Sequence, residues 1–366
     1  MCMRVVDLFA GMGGMTCGAL EAGAAVVLSV DSDPAPLKLL GTNAPNTTTV
    51  VATLGEGKAE IDLPPAAPDL HIHMSPQCTD FSSARRATHT AVDITGGLQT
   101  IRWAVAHVLE RNDHSWSLES VATRATRSLL ADLAADHPDR VAFAAFDSAD
   151  FGAPQHRVRL IAGPPALIKM LQGMPRAPQV SVRTAFESIG QHPPAAFYKN
   201  QTQSENGGPT MRGVETQSFT VCAGHALTWC EADGTSVRVM TARESAILMG
   251  FPSSWSLPRG SRVGQKAVGN AMCVGLAKAI IRAAAAVHNG EAAVATAAAQ
   301  ECALTFPASG KKRSLGVSSG KHRRLRLRVE ALERALQGIR AVQSPTGGAM
   351  QYLTAAPQTA CAGVRG

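Results

Sequence analysis

No two cysteines in the chain are spaced C-x-x-C, and the eight present (Cys2, Cys17, Cys78, Cys222, Cys230, Cys273, Cys302, Cys361) are scattered. That argues against a structural zinc site or a disulfide framework, so reduced thiols and no bound metal are expected. Also lacking is an uncharged apolar run of the roughly 18 residues needed to cross a bilayer, and no membrane association is expected. The first residues lack the charged region, apolar stretch and small-residue cleavage site of a secretion signal. The expectation is an intracellular protein, cytoplasmic or, in a eukaryotic host, nuclear. Aromatic residues are only 4% and charged residues 17%, yet 45% of the chain is hydrophobic. This balance excludes disorder throughout, and 366 residues suit a large domain carrying an insertion.

Charge is unevenly spread. The net charge is +7, but residues 311–340 hold ten Lys and Arg against Glu330 and Glu333, leaving 25 basic and 26 acidic residues elsewhere. A near-neutral body with a basic tail fits either a solvated segment or one that binds a polyanion through counterion release. Leu325, Val329, Leu332, Leu336 and Ile339 fall on one helical face. That face suits docking on the body, pairing two chains or folding on a partner, and the oligomeric state stays open.

Val5–Phe9, Ala25–Val30 and Leu70–Met74 read as buried strands, alternating with helical segments at Met15–Ala22 and Ala35–Leu40. Helices over Thr100–Glu110 and Arg124–Ala135 and strands over Val141–Asp147 and Arg157–Ala162 continue the pattern. The fold class expected is α/β, a doubly wound, mostly parallel sheet over residues 1–162. Periodicity fades from Gly163, where Pro, Gln, Ser, Asn and Gly dominate, so 163–262 reads as a smaller, irregular domain. A helix over Thr241–Met249 and a long Ala-rich helix over Ala271–Val287 follow. Residues 263–290 are expected to return to the first domain, and 291–366 to form an Ala-rich linker and the basic tail.

Asp7–Gly14, DLFAGMGG, follows a strand and opens a helix, where glycines allow a tight turn close to a ligand. Asp31 ends the next strand, placed to receive ribose hydroxyls. The pair fits a nucleoside-containing cofactor or, equally, a plain turn with Asp31 capping a helix. With no Lys for phosphates and a turn shorter than a dinucleotide fingerprint, S-adenosylmethionine fits better than NAD or ATP. Cys78 lies just past the strand Leu70–Met74, a nucleophile candidate in a polar loop or an inert thiol. Glu119 sits in another apolar-aromatic strand, WSLESV. Gln155, Arg157 and Arg159 alternate in FGAPQHRVRL, which in a strand would put all three on one face.

Taken in order, these strings resemble the motifs of the cytosine-C5 DNA methyltransferase family: DLFAGMGG, VDSDP, SPQCTDFS, LESV, PQHRVR, TARESAILMGFP and VGNAMCVGLAKAI. The match runs from Val5 to about Ala279. The resemblance implies a Rossmann-like methyltransferase fold, S-adenosylmethionine as cofactor and double-stranded DNA as partner, with 163–262 as target-recognition region. It implies Cys78 as nucleophile, with Glu119, Arg157 and Arg159 completing the catalytic set. It also implies a cofactor pocket of Phe9, Ala10, Gly11, Gly13, Gly14, Asp31, Ser32, Pro76, Leu98 and Asn270. Two alternatives share these motifs: a tRNA cytosine-C5 methyltransferase and a nucleic-acid-binding homologue without turnover. Gln77, Ser120 and Ser32 stand where the family has Pro, Asn and often a bulky residue.

Overall fold

A computed structural model of the protein describes residues 2–58, 60–76, 91–113, 115–203 and 209–290. Cys78, Gln77, the expected linker and the basic tail lie outside the described residues.

A seven-stranded sheet is built from β1 (Arg4–Leu8), β2 (Ala25–Asp31), β3 (Thr48–Val51), β4 (Leu70–Met74), β5 (Ser115–Val121), β6 (Ala142–Asp147) and β7 (Val158–Gly163). Their order is β3-β2-β1-β4-β5-β7-β6. β1, β2, β3, β4 and β5 pair in parallel, while β7 runs antiparallel to both β5 and β6. The chain thus winds outward from β1 through β2 to β3, then returns to β4 on the other side of β1. That reversal makes a crevice beyond the carboxyl ends of β1 and β4, where such sheets bind ligands.

Helices cover both faces, each of which presents apolar side chains to be buried. α1 (Gly14–Glu21) and α2 (Pro34–Asn43) follow β1 and β2, and α3 (Ala91–Glu110) and α4 (Arg124–Asp136) flank β5. Ile101, Val105 and Val108 of α3 join Leu130 of α4 against Leu8, Ile72, Met74, Trp116 and Leu118. On the opposite face Val5, Val26 and Ile161 pack with Met15 of α1 and with the C-terminal helices. The side chain of Thr123 caps α4 by accepting from the Thr126 N–H, and Asp33 caps α2 in the same way.

The stretch expected to be irregular carries α5 (Pro165–Gly173), α6 (Val182–Glu187) and a second sheet of β8 (Phe197–Gln203), β9 (Pro209–Gly213), β10 (Thr228–Cys230) and β11 (Ser236–Val239). Its order is β11-β10-β8-β9, and its pairs are antiparallel. Tyr198 and Trp229, both fully buried, meet edge to face with ring centres 6.0 Å apart and anchor this sheet. The strands are short and partly polar, so they carry little of the two-residue alternation that marks a strand in sequence.

α7 (Ala242–Leu248) opens with a capping box between Thr241 and Glu244. After it, the helix expected over Ala271–Val287 is found as α9 (Val274–His288), and a further helix, α8 (Ser261–Asn270), precedes it, separated by residues 271–273. By length and hydropathy Ser261–His288 would suffice to span a membrane. Arg262, Lys266, Lys278 and Arg282 lie within it, so it holds no uncharged run of that length. Here the stretch is broken, and Leu276, Ala277, Ile280, Ile281 and Ala284 are buried in the core shared with α1. At Gly14 a side chain would overlap the Met272 backbone, and at Gly18 it would overlap Ala277. Glycine is what lets α1 and α9 touch.

Asp7 lies near the end of β1. It is buried, and its Oδ2 accepts from the Thr16 N–H (3.1 Å) and hydroxyl (2.7 Å), tying α1 to β1. Its Oδ1 has no partner among the described residues. Burial pushes its pKa up from 3.8 to about 7. The folded protein therefore keeps the proton through a window in which the unfolded chain loses it. Stability from this group is complete below pH 3.8 and is lost as pH rises through about 7. At about 1.4 kcal/mol per unit the loss is about 4 kcal/mol by pH 8. Asp7→Asn keeps an acceptor for Thr16 without that titration. Its advantage in urea-unfolding free energy over the parent should grow steadily between about pH 4 and pH 8, and an advantage constant with pH would contradict the assignment.

Candidate active site

The turn after β1 is held in a conformation few side chains tolerate. Phe9, Gly11 and Gly13 have φ of 61°, 53° and 89°. Only the glycines adopt this freely, so Phe9 stores strain of about 1–3 kcal/mol that its surroundings must hold in place. They do so at several points. Ala10 N–H donates to Val30 O (2.9 Å), Gly11 N–H to Asp31 Oδ2 (2.7 Å), and Trp255 Nε1–H to Met12 O (3.1 Å). Asp31 Oδ1 accepts from the Asp33 N–H at 2.8 Å. Asp31 thus braces the turn, while Asp33 rather than Asp31 caps α2.

Beside this turn lies a cavity of about 210 Å³ lined by Phe9, Ser32, Ala52, Thr53, Leu54, Gly96, Gly97 and Thr100. Phe9 meets Trp103 edge to face, with centroids 6.5 Å apart, and Trp103 stacks on His107. Of the residues expected around a cofactor, Phe9 and Ser32 are in the wall, with Gly11 and Asp31 in the turn behind it. Leu98 packs into the core under α3, and its place in the wall is taken by Gly96 and Gly97. Ala10 is buried with Leu37 and Leu40. Gly13 and Gly14 serve packing, against Leu40, Trp255 and Met272. Asn270 is exposed at the end of α8. Ala52, Thr53 and Leu54 were missed because a short apolar-to-polar stretch after an edge strand carries no motif.

On the other side of the crevice β4 is followed by Ser75, whose N–H donates to Leu8 O at 3.1 Å, and by the buried Pro76. The chain toward Cys78 leaves from there. Glu119 lies next in the sheet on β5, 7% exposed, and Arg159 on β7 places Nε 2.7 Å from its Oε1. Nε has no well-aligned acceptor, so the contact acts as an ion pair. The hydroxyl of Ser120, fully buried, is without a partner among the described residues.

The three residues expected to share one strand face divide. β7 begins at Val158, so only Arg159 belongs to it. Gln155 and Arg157 precede the strand and turn into a seam. Arg157, 4% exposed, donates from Nη1 to Val221 O (2.9 Å) and from Nη2 to Gly269 O (3.0 Å) and Ala271 O (3.1 Å). Those last two carbonyls are ones that the break between α8 and α9 leaves without helical donors. Gln155 donates to Leu248 O (2.7 Å) and accepts from Val221 N–H (3.0 Å), while Gln265 donates to Cys222 O (2.8 Å). Arg157 is a strut, and Arg159 is the arginine that meets the buried carboxylate. Cys222, half-buried beside this seam, is a thiol that the scattered cysteine count left unmarked. Burial raises its pKa, while Arg157 and Arg159 pull it the other way. Cys2, Cys17, Cys222, Cys230 and Cys273 are all free.

A profile of C-5 cytosine-specific DNA methylases matches residues 3–121 and 176–286. The Type II methyltransferase M.HindV of Haemophilus influenzae is 25% identical over 300 residues, covering 77% of this chain and 96% of that protein. M.HgiDI of Herpetosiphon aurantiacus, also a Type II methyltransferase, is 27% identical over 297 residues, covering 75% and 92%. Among solved structures, a DNA modification methyltransferase encoded within an E. coli prophage superposes with a TM-score of 0.55 at 18% identity, over 79% of this chain and all of that one. A Spodoptera frugiperda DNMT2 variant gives 0.53 at 15% identity, over 77% and 99%. These two likenesses show the fold.

The separate placements of the two arginines predict separate effects. Arg157→Lys, which cannot reach three carbonyls, should cost about 3 kcal/mol of folding stability. Arg159→Lys, which retains a charge beside Glu119, should cost about 1 kcal/mol. Urea unfolding of the two variants checks this, and equal losses would contradict the division.

Proposed function

From the premise that the chain belongs to the C-5 cytosine-specific DNA methylase family, we propose that it methylates C5 of cytosines in double-stranded DNA with S-adenosylmethionine as donor. The enzyme is a DNA cytosine-C5 methyltransferase. Duplex substrate, donor and residue roles are our reading. What carries them is one juxtaposition: the glycine turn after β1 and the Ser75-Pro76 stem after β4 border the same crevice, with Glu119 and Arg159 on the next strands.

The residues present fit the donor. An aromatic face at Phe9, a wall of Gly96 and Gly97 without side chains, and the hydroxyls of Ser32 and Thr100 suit a nucleoside. Asp31, with each oxygen holding one backbone N–H, retains lone pairs for ribose hydroxyls. When bound, S-adenosylmethionine supplies an electrophilic methyl group.

Cytosine C5 is a weak nucleophile. Attack by the Cys78 thiolate on C6 would form an S–C bond and turn C5 into an enamine carbon able to take the methyl. Glu119 would meet the N3 and N4 edge, holding a proton at N3 as electron density gathers there. Arg159 would fix that carboxyl in place. Loss of the C5 proton and of the thiolate then restores the ring. A base inside a stacked duplex presents neither face of C6, so the cytosine must be turned out of the helix. Basic groups of the second sheet, such as Arg212 over the Phe219 ring at 4.1 Å, suit phosphate contacts.

Cys78→Ala tests the reading. It should remove methyl transfer altogether and abolish the covalent adduct with duplex DNA containing 5-fluorocytosine, while the S-adenosylmethionine dissociation constant stays within about twofold. Turnover retained by the variant would defeat the assignment of the nucleophile.

A further inference from the structure

A line of five polar side chains interrupts the interior of β4 and β5. Leu70, Ile72 and Met74 on β4 and Trp116 and Leu118 on β5 pack into the core beneath α3 and α4. By strand alternation His71, His73, Ser115 and Ser117 occupy the opposite face. The parallel register sets His71 beside Ser115 and His73 beside Ser117.

The side chains form one continuous ladder. Ser115 Oγ bonds His71 Nδ1 at 2.8 Å, and His71 Nε2 bonds Ser117 Oγ at 2.8 Å. Ser117 Oγ bonds His73 Nδ1 at 2.8 Å, and His73 Nε2 bonds Ser75 Oγ at 2.7 Å. Both imidazoles are wholly buried, and all four ring nitrogens are engaged. Burial keeps them neutral, bringing His71 down to about 3 and His73 well below its ordinary value. A neutral imidazole donates from one nitrogen and accepts at the other. With one proton at Ser117 for its two bonds, the donors therefore run in one direction along the whole ladder. Its proton order decides whether Ser75 offers a proton or a lone pair at the carboxyl edge.

Valine or leucine would fill these positions with no such demand. Burying His71, His73 and Ser117 costs solvation that only complete hydrogen bonding offsets, and a complete network makes the region rigid. The ladder's ends locate what is made rigid. Ser75 is followed by Pro76 and, two residues later, by Cys78. Ser117, which takes two of the four bonds, stands two residues before Glu119 on the same face of β5.

We propose that His71 and His73 are positioning residues for methyl transfer, locking through Ser117 and Ser75 the stem that bears the thiol against the strand that bears the carboxyl. This rests on the functional reading above. Thiol and carboxyl must meet one base from two neighbouring strands, and a misplacement of about 1 Å can cost on the order of a hundredfold in rate.

The test measures single-turnover methyl transfer by the full chain from S-adenosylmethionine to unmethylated duplex DNA, for the parent and for Ser75→Ala, His73→Asn and Ser75→Thr. Asn reproduces the Nδ1 position toward Ser117 but does not extend to Ser75. The ladder predicts rates about tenfold below the parent for Ser75→Ala and His73→Asn, cofactor and DNA dissociation constants within about twofold, and recovery in Ser75→Thr. Rates within about twofold of the parent in both variants, a loss matched by equally weakened binding, or no recovery in Ser75→Thr would overturn it. An inactive parent chain would refute the methyltransferase reading itself and the ladder's role with it.

Discussion

The guanidinium of Arg157 gathers three carbonyl oxygens from two segments that lie 64 and more than 110 residues further along the chain. Its bonds to Gly269 and Ala271 make the break between α8 and α9 tolerable, because helix ends expose carbonyls that must find donors. The break in turn lets α9 reverse onto α1, where Gly14 and Gly18 leave room for its backbone. α1 holds β1 through Thr16 and Asp7, and β1 carries the turn that borders the cofactor cavity. A buried charge engaged with three carbonyls is costly to assemble and costlier to leave half-made. The seam thus joins the end of the described chain to its beginning, and Val221 brings the segment after the second sheet into the same contact.

Around that seam the large sheet is divided by face. Beneath α3 and α4 it is apolar, from Leu8 to Trp116 and Leu118. The other face carries Asp7, His71, His73, Ser115, Ser117 and Glu119 among hydrophobic neighbours. Polar groups this deep survive only when paired, and all but a few atoms are, through Thr16, the serine–histidine ladder and Arg159. The polar face leads toward the carboxyl ends of β1, β4 and β5, where reacting groups are needed, while the apolar face supplies cohesion. Strain at Phe9 is concentrated at the same edge, braced by Asp31 and Trp103.

Much of this was legible in the sequence. β1, β2, β4 and β5 carry a core of apolar residues, and their alternation with helical segments pointed to the doubly wound sheet. Motifs at the strand ends marked Phe9, Asp31 and Glu119. What could not be read depended on partners distant in the chain. Arg157 and Arg159 look equivalent as alternating residues, and only the start of β7 at Val158 separates a strut from a partner of Glu119. α8 was not foreseen, because its turn into α9 carries no proline between Asn270 and Cys273 and its exposed carbonyls are met by the distant Arg157. β3 and the second sheet were missed because short strands with polar faces resemble loops. His71 and His73 looked like ordinary strand residues, and it took the register with β5 to reveal the ladder.

The account stands on methyl transfer to C5 of cytosine in duplex DNA. Its most direct test is incubation of the full chain with methyl-labelled S-adenosylmethionine and, in parallel, unmethylated duplex DNA or tRNA, followed by bisulfite sequencing of whatever takes up label. The account predicts label on the DNA, at cytosines of a defined sequence. Label on tRNA alone, or on neither despite measurable cofactor binding, would contradict it.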